Sequence, residues 1–453
     1  MVKKEREIAL EILMERSDNH FIKTIYMRKM VEYPYLNTVQ KAMIKRLVQG
    51  VAEREYTLDY VIRANSSLRL KKIAANVLNI LRLSVYQIMY MDKIPEYSIV
   101  NEGVELVKKQ KQFQAVAFTN AVLHQIANQK AKILNEISRL KDQKNWKVAY
   151  SFPQELIDLL LKEYSPKIVE KILAESLKEK PLTLRFITPD QQAAASVRGF
   201  LQSSKRIVGQ GILFDRVCKY YGNIEQESIF QQGYLQIQDE ASMLVGHLAA
   251  ADQPKSVYDL CAAPGGKSTH LAVLLPDSQI MATDVSPEKA QKIKENKNRL
   301  KLANLQISVQ DATLFDPEKK EADCVLADVP CSGLGVIGSK PEIKYRINQS
   351  AINELNQIQS QILEQAAKYV KNGGTLFYST CTILSAENRL MVEKFLQKHP
   401  EFSLCSIADD PIFQGENAKQ MEKNGEMIWQ NQMLQILPQS LHGFFIAKLR
   451  KTL

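Results

Sequence analysis

Long apolar runs are missing from this chain: no stretch of its 453 residues approaches the roughly 20 apolar positions that a membrane-spanning helix needs. The opening residues, MVKKEREIALEILMERS, mix acids with bases in an amphipathic pattern, unlike a secretory or organellar leader, so a cytoplasmic location is expected and no membrane partner. Cysteine and histidine are also scarce. Six cysteines form no CxxC pair and six histidines no HxxxH or HExxH spacing, which argues against a disulfide framework and a structural zinc; no metal is expected. The dinucleotide fingerprint GxGxxG does not occur either.

What is present reads as a multidomain globular protein. The length exceeds one ordinary core, and 45% hydrophobic with 24% charged residues is a folded-protein composition. The net charge of +10 is unevenly spread: residues 1–150 carry 26 Lys and Arg against 15 Asp and Glu, whereas the rest carry 34 against 35. A polyanion held by the first third would explain this, and so would a solvated lysine-rich helical face.

Helical spacing runs through residues 1–130, as in Ile8, Ile12 and Leu13 or Val77, Leu81, Val85 and Ile88, and predicts an all-α domain. Residues 131–150 read as a polar connector. Residues 151–238 combine two amphipathic helices with the strand LTLRFI and short β-like segments around RIVGQGILFDRV and GNIEQESIFQQGYLQIQDE, giving a small α+β module. From 239 to 453 the pattern alternates. Strands are expected at SVYDL, QIMATD, LQISVQD, DCVLADV, GGTLFYS, FSLCSI and GFFIAKL, with helices starting near Gly266, Pro287, Gln349 and Ala386. That order predicts an α/β domain with a mostly parallel, doubly wound sheet, whose ligands sit beyond the carboxyl ends of the strands.

The candidate motifs all fall at those ends. In VYDLCAAPGGKSTHLA a strand enters a glycine turn and a helix, where a ligand can approach the backbone closely. A Walker A loop is matched at Gly266, Lys267 and Ser268, but Cys261 stands where its first glycine belongs, so a P-loop NTPase is a minority reading. Asp284 closes the next strand 25 residues after Asp259, near the spacing at which an acid binds ribose hydroxyls, although Asp284 and Ser286 also suit a helix cap. Asp311 closes a third strand. Three acids at three successive strand ends suit an adenosine without phosphates, as in S-adenosylmethionine.

In ADVPCSGLGV, Asp328 is placed to accept a hydrogen bond from a cytosine amine or protonated ring nitrogen, beside Cys331; in YSTCTILSAEN, Cys381 follows a strand at a rim that favours thiolate. Carbon 5 of a pyrimidine needs activation before it accepts a methyl group. A thiolate adding to carbon 6 supplies it, and a second thiol nearby would help remove the proton or release the product. Spacing does not rank the two cysteines. Cys324, inside an apolar strand, and Cys405 read as core residues.

Together, DLCAAPGGKSTHLA, ATDVSPEK, VQDAT, ADVPCSGLGV with PEIKYR, and YSTCTILSAEN resemble the catalytic domain of the RNA cytosine-C5 methyltransferases. The first third, with QGVAEREYTLDYVI, LRLSVYQIMYMDKIP and FTNAVLHQ, is similar to a NusB-like RNA-binding domain. The resemblance covers nearly the whole chain and implies a Rossmann-like catalytic domain that methylates C5 of a cytosine in 16S ribosomal RNA, free or in an early small-subunit assembly intermediate, acting as a monomer. It further implies that Cys261, Ala262, Ala263, Pro264, Gly265, Gly266 and Lys267 line the S-adenosylmethionine site. Asp284 would then lie on the ribose, Asp311 near the adenine and Asp328 between cofactor and cytosine, with Cys381 as nucleophile and Cys331 assisting release. Two segments depart from the family pattern: Gly338-Ser339, where relatives often carry basic residues, and LRFI, where Leu-Arg-Val-Asn is commoner. A non-catalytic, antitermination-type RNA-binding protein is the alternative suggested by the first third alone.

Overall fold

The computed structural model describes residues 3–16 and 21–452. They form two compact units, one of residues 1–177 with 340–347 and one of residues 178–339 with 348–453. Among the described residues no helix is long and apolar enough to cross a membrane.

The first unit is helical, as its apolar spacing predicts. Its longest element, Thr38–Ala64, starts at a capping box in which Asn37 Oδ1 accepts from the Gln40 amide at 2.9 Å while the Gln40 side chain returns to the Asn37 amide. It packs on Glu5–Glu15 and Ala75–Tyr90 through one buried cluster that includes Ile8, Ile12, Leu47, Val51, Leu81 and Val85. The same unit contains residues 340–347, the PEIKYR segment quoted above from the catalytic half. Glu342 accepts the Ile22 amide at 2.8 Å, Tyr345 OH donates to the Ala52 carbonyl at 2.7 Å, and the buried Lys344 donates to the Glu53 carbonyl at 2.8 Å. Those carbonyls belong to a long helix distant in sequence, so nothing local signals the attachment.

The second unit opens with a four-stranded antiparallel sheet. Strands β1 (Leu182–Phe186), β2 (Ile207–Gln210), β3 (Val217–Tyr220) and β4 (Leu235–Ile237) take the order β2-β3-β1-β4. The stretch GNIEQESIFQQ, expected to be β-like, is instead a short helical turn, Ile224–Gln226, followed by a helix at Ser228–Gln231; β character begins only at Leu235. Asn223 caps this turn by accepting the Glu225 amide, which turns the chain helical despite its β-prone residues.

The large sheet contains β5 (Ser256–Asp259), β6 (Gln279–Asp284), β7 (Leu305–Val309), β8 (Ala322–Asp328), β9 (Val370–Thr380), β10 (Phe402–Cys405), β11 (Met427–Gln430), β12 (Met433–Ile436) and β13 (Phe444–Lys451). Its order is β11-β12-β13-β9-β8-β5-β6-β7, with β10 on β13. Strands β5 to β9 pair in parallel, with helices at Gly266–Leu274, Pro287–Leu300 and Gln349–Lys368 as crossovers. From β9 outward every pairing is antiparallel, so the sheet is mixed rather than mostly parallel. The change of direction is made by β13, which runs against β9 and carries β10 and β12 on its far edge. The β11–β12 hairpin beyond it leaves little mark in the sequence, its short strands being joined at Asn431 and Gln432, both at positive φ, without the glycine that usually announces such a turn. The helix expected near Ala386 starts at Arg389, after a tight turn over Ser385–Glu387.

Candidate active site

The continuous apolar run of β8 is buried on both faces and delivers Asp328 to its carboxyl end, where it stands opposite Ser379 of β9; one strand over, Asp259 ends β5 opposite Leu326. Pro330 then ends the ladder and Gly333, at φ +71°, turns the chain back. This return is tight. The Gly335 amide donates to the Cys381 carbonyl at 2.9 Å, and a Cβ on Gly335 would lie 2.2 Å from the Gly443 carbonyl oxygen. The loops after β8 and β9 are thus laced together, and Cys331 Sγ and Cys381 Sγ, fifty positions apart in sequence, lie 3.3 Å apart.

Beside the thiols stands a charged pair. Lys267 Nζ donates to Asp328 Oδ2 at 2.6 Å, Ser379 Oγ donates to Asp328 Oδ1 at 2.7 Å, and the ammonium lies 5.0 Å from the centre of the Phe444 ring. Burial works against the lysine charge, but Asp328 and Asp259, with Cys381, outweigh it and hold its pKa above the ordinary value. Lys267 therefore belongs to the thiol end of the site as much as to the glycine turn. This pairing also removes the lysine from the role that a phosphate cradle would give it.

Cys331 is held well above the ordinary thiol range, first by its hydrogen bond with Cys381, then by burial and by the negative charges of Cys381 and Glu387. Its proton is therefore retained. Cys324 is fully buried with its thiol pushed up to about 12 by burial, as a core residue should be, and Cys405 is partly exposed at the edge strand β10.

On the other side of the turn, Gly265 takes φ +97°, a conformation that side chains resist, and opens the helix Gly266–Leu274. Asp284 Oδ2 accepts the Ala263 amide at 3.3 Å and Oδ1 the Ser286 amide at 3.2 Å, tying β6 to the Cys261–Lys267 turn. Helix capping is left to Ser286, whose Oγ accepts from the Lys289 amide. Asp259 is fully buried: Ser268 Oγ donates to one oxygen at 2.5 Å and the other has no protein partner. Burial pushes its carboxyl up to about 6, with help from Asp328 and Asp284 and against Ser268 and Lys267. Asp311 stands on the same edge but closes a local turn, accepting from Thr313 N at 2.9 Å and Oγ1 at 2.7 Å. Cys261 is largely buried, which raises its thiol.

These residues fit S-adenosylmethionine. Asp284 would suit ribose hydroxyls, the helix N-terminus at Gly266 a carboxylate, and the exposed Val285, Val309 and Leu314 a base, while the buried Asp259, one oxygen unpaired, adds negative charge that suits an ammonium group.

With this geometry in view, comparison with known proteins is decisive. A family described as 16S rRNA methyltransferase RsmB/F matches residues 247–450, and the NusB family matches residues 3–128. A probable ribosomal RNA small subunit methyltransferase B of Bacillus subtilis (strain 168) is 31% identical over 451 residues, covering 98% of both chains. The chain belongs to the ribosomal RNA small subunit methyltransferase B family. It is accordingly an S-adenosylmethionine-dependent rRNA methyltransferase, which displaces both the NTPase and the non-catalytic readings. A family member from Escherichia coli O127:H6 is 28% identical over 370 residues, with 81% of this chain and 84% of that one covered. The crystal structure of PH0851 matches the fold with a TM-score of 0.73 at 24% identity, over 99% of this chain and 97% of the other; NSun6 from Pyrococcus horikoshii matches at 0.57 and 19%, over 67% and 99%.

Sequence reasoning missed three contributors in this family member: Ser379, which shares Asp328 with Lys267; Phe444, beneath the ammonium; and Glu387, buried behind both cysteines. Only Glu387 left a trace, as a charged residue six positions after Cys381 in an otherwise apolar and hydroxylic stretch.

Proposed function

We propose that this enzyme methylates C5 of a cytosine in 16S ribosomal RNA through a covalent adduct between Cys381 and carbon 6 of the base. The observation that carries this reading is the 3.3 Å approach of two thiols beside the Lys267–Asp328 pair. The bound cofactor contributes an electrophilic methyl sulfonium. Cys381, as a thiolate stabilised by the charge of Lys267, adds to carbon 6, and the electron pair of the C5=C6 bond moves into the ring toward N3, where Asp328 and Lys267 manage the developing charge. Carbon 5 of this enamine then takes the methyl group. Loss of the C5 proton to water re-forms the C5=C6 bond and expels the C6 sulfur as a thiolate, to which Cys331, protonated until then, returns a proton. Asp284 and the Cys261–Lys267 turn hold the methyl donor, with Asp311 closing the adenine end. The target base must leave its stack, at a cost of about a few kcal/mol that is lowest in unpaired RNA. The basic first third supplies phosphate contacts whose strength falls as salt rises.

The test is a denaturing gel with unmodified 16S rRNA and S-adenosylmethionine. Cys331→Ala should trap a protein–RNA band, whereas Cys381→Ala should give neither band nor methylation. The reverse pattern would make Cys331 the nucleophile, and no band with either variant would exclude the covalent route.

A further inference from the structure

Behind the two thiols lies a carboxylate that the chemistry above does not use. Glu387 is fully buried, as are Gln359 and Thr382 around it. Its Oε2 accepts the Ser332 amide at 2.8 Å and Gln359 Nε2 at 2.9 Å; its Oε1 accepts the Ser332 hydroxyl and, at 3.2 Å, that of Thr382. Ser332 and Thr382 are the residues that directly follow Cys331 and Cys381, and their hydroxyls meet at 2.6 Å. Gln359 also donates to the Pro330 carbonyl at 2.9 Å, so the Cys331 loop is gripped on both sides of the cysteine.

The two cysteines are anchored unequally. Cys381 follows β9 directly, and Thr380 is still in register with Phe445 of β13. Cys331 lies beyond the end of β8, after a proline, and between Pro330, held by Gln359, and Gly335, which rejoins the Cys381 carbonyl, the loop is anchored at Ser332 by the carboxylate. A buried carboxylate is costly unless every lone pair is used, and here each oxygen takes two donors.

We propose that Glu387 is a positioning residue that holds Cys331 against Cys381 and thereby sets the release of the methylated base. This rests on the proposed division of labour between the thiols. Its removal should free the Cys331 loop while leaving Cys381 and the cofactor turn in place, so attack continues and release fails. The charge of Glu387 also helps Cys331 keep its proton until release.

The experiment uses the full-length protein, unmodified 16S rRNA and S-adenosylmethionine, with Cys331→Ala and Cys381→Ala beside Glu387→Ala and Glu387→Gln. Glu387→Ala should accumulate the covalent protein–RNA band despite an intact Cys331, with turnover down about 10²-fold, the scale of an ångström-level misplacement, and S-adenosylmethionine affinity within twofold. Glu387→Gln should restore release, because its amide can face the two hydroxyls as donor while its oxygen accepts from the Ser332 amide and Gln359. Band accumulation is a readout that loss of stability alone would not produce. If Cys331→Ala traps the adduct and Glu387→Ala turns over without trapping, this inference is overturned and the covalent mechanism stands. If only Cys381→Ala traps the adduct, the roles of the thiols are reversed and this inference falls with them; if neither cysteine variant traps it, the covalent mechanism itself fails. Should Glu387→Ala lose S-adenosylmethionine binding, Ser332→Ala decides: partial trapping supports the clamp, and normal release overturns it.

Discussion

Two buried lysines, one in each unit, meet opposite fates. Lys344 in the helical unit is 1% exposed, lies 4.7 Å from the Phe152 ring centre and donates to a main-chain carbonyl. Lys267 in the catalytic unit is 8% exposed and donates to a carboxylate. Burial drives the first down to about 7, against the nearby Glu53 and Glu55, while Asp328 keeps the second above the ordinary value. Desolvation is common to both; a full opposite charge within hydrogen-bonding distance is not. A lysine that keeps its charge in a dry site can steady a thiolate and an electron-rich ring, and one that sheds its charge serves packing.

The sharpest way to break this comparison is at Cys381, whose charge helps hold the Lys267 ammonium protonated. Cys381→Ala should lower methyl transfer by about 10³-fold or more, measured as methyl incorporation into 16S rRNA, if Cys381 is the nucleophile as proposed and its neighbour cannot replace it. Lys267→Met should follow, with a loss of about 10²-fold in kcat, the scale of one preorganised electrostatic contact. If the lysine served only the glycine turn, the loss would appear in S-adenosylmethionine affinity instead, which calorimetry separates.

Lys344→Met sharpens the other side. Because its folded pKa lies below that of the unfolded chain, the unfolded state binds more protons between pH 7 and about 10, and stability rises with pH across that window by at most about 1.4 kcal/mol per unit; below pH 7 both states are protonated and the burial penalty is fully felt. Urea unfolding of the wild type should show this slope, and the methionine variant should lose it. The smallest effect is expected at Asp259. With a pKa near 6 it is charged at neutral pH, so S-adenosylmethionine affinity should weaken as pH falls through 6. Asp259→Asn should bind about tenfold more weakly at pH 7.5 and show no such dependence, the scale of one charged hydrogen bond.

Much of the site was legible because strand ends leave local marks. The apolar runs of β5, β6 and β8 each finish in an aspartate, and the Asp259–Asp284 spacing already implied a ribose-bearing ligand. Asp311 was legible only in part, since its side chain also serves the Thr313 turn. The β11–β12 hairpin was missed because Asn431 and Gln432 adopt positive φ without glycine, so the turn has no usual signal.

By itself, the sequence determined the parallel core, the helical first unit and which polar residues stand at the strand ends, because periodicity and turn residues act over a few positions. Only the tertiary structure decided which cysteine is held by the sheet and which by a carboxylate, that Lys267 reaches Asp328, and that residues 340–347 pack into the helical unit. Each of these joins residues 50 to 320 positions apart, and such contacts are selected by burial and hydrogen-bond satisfaction in the folded chain, which leave no period in the sequence.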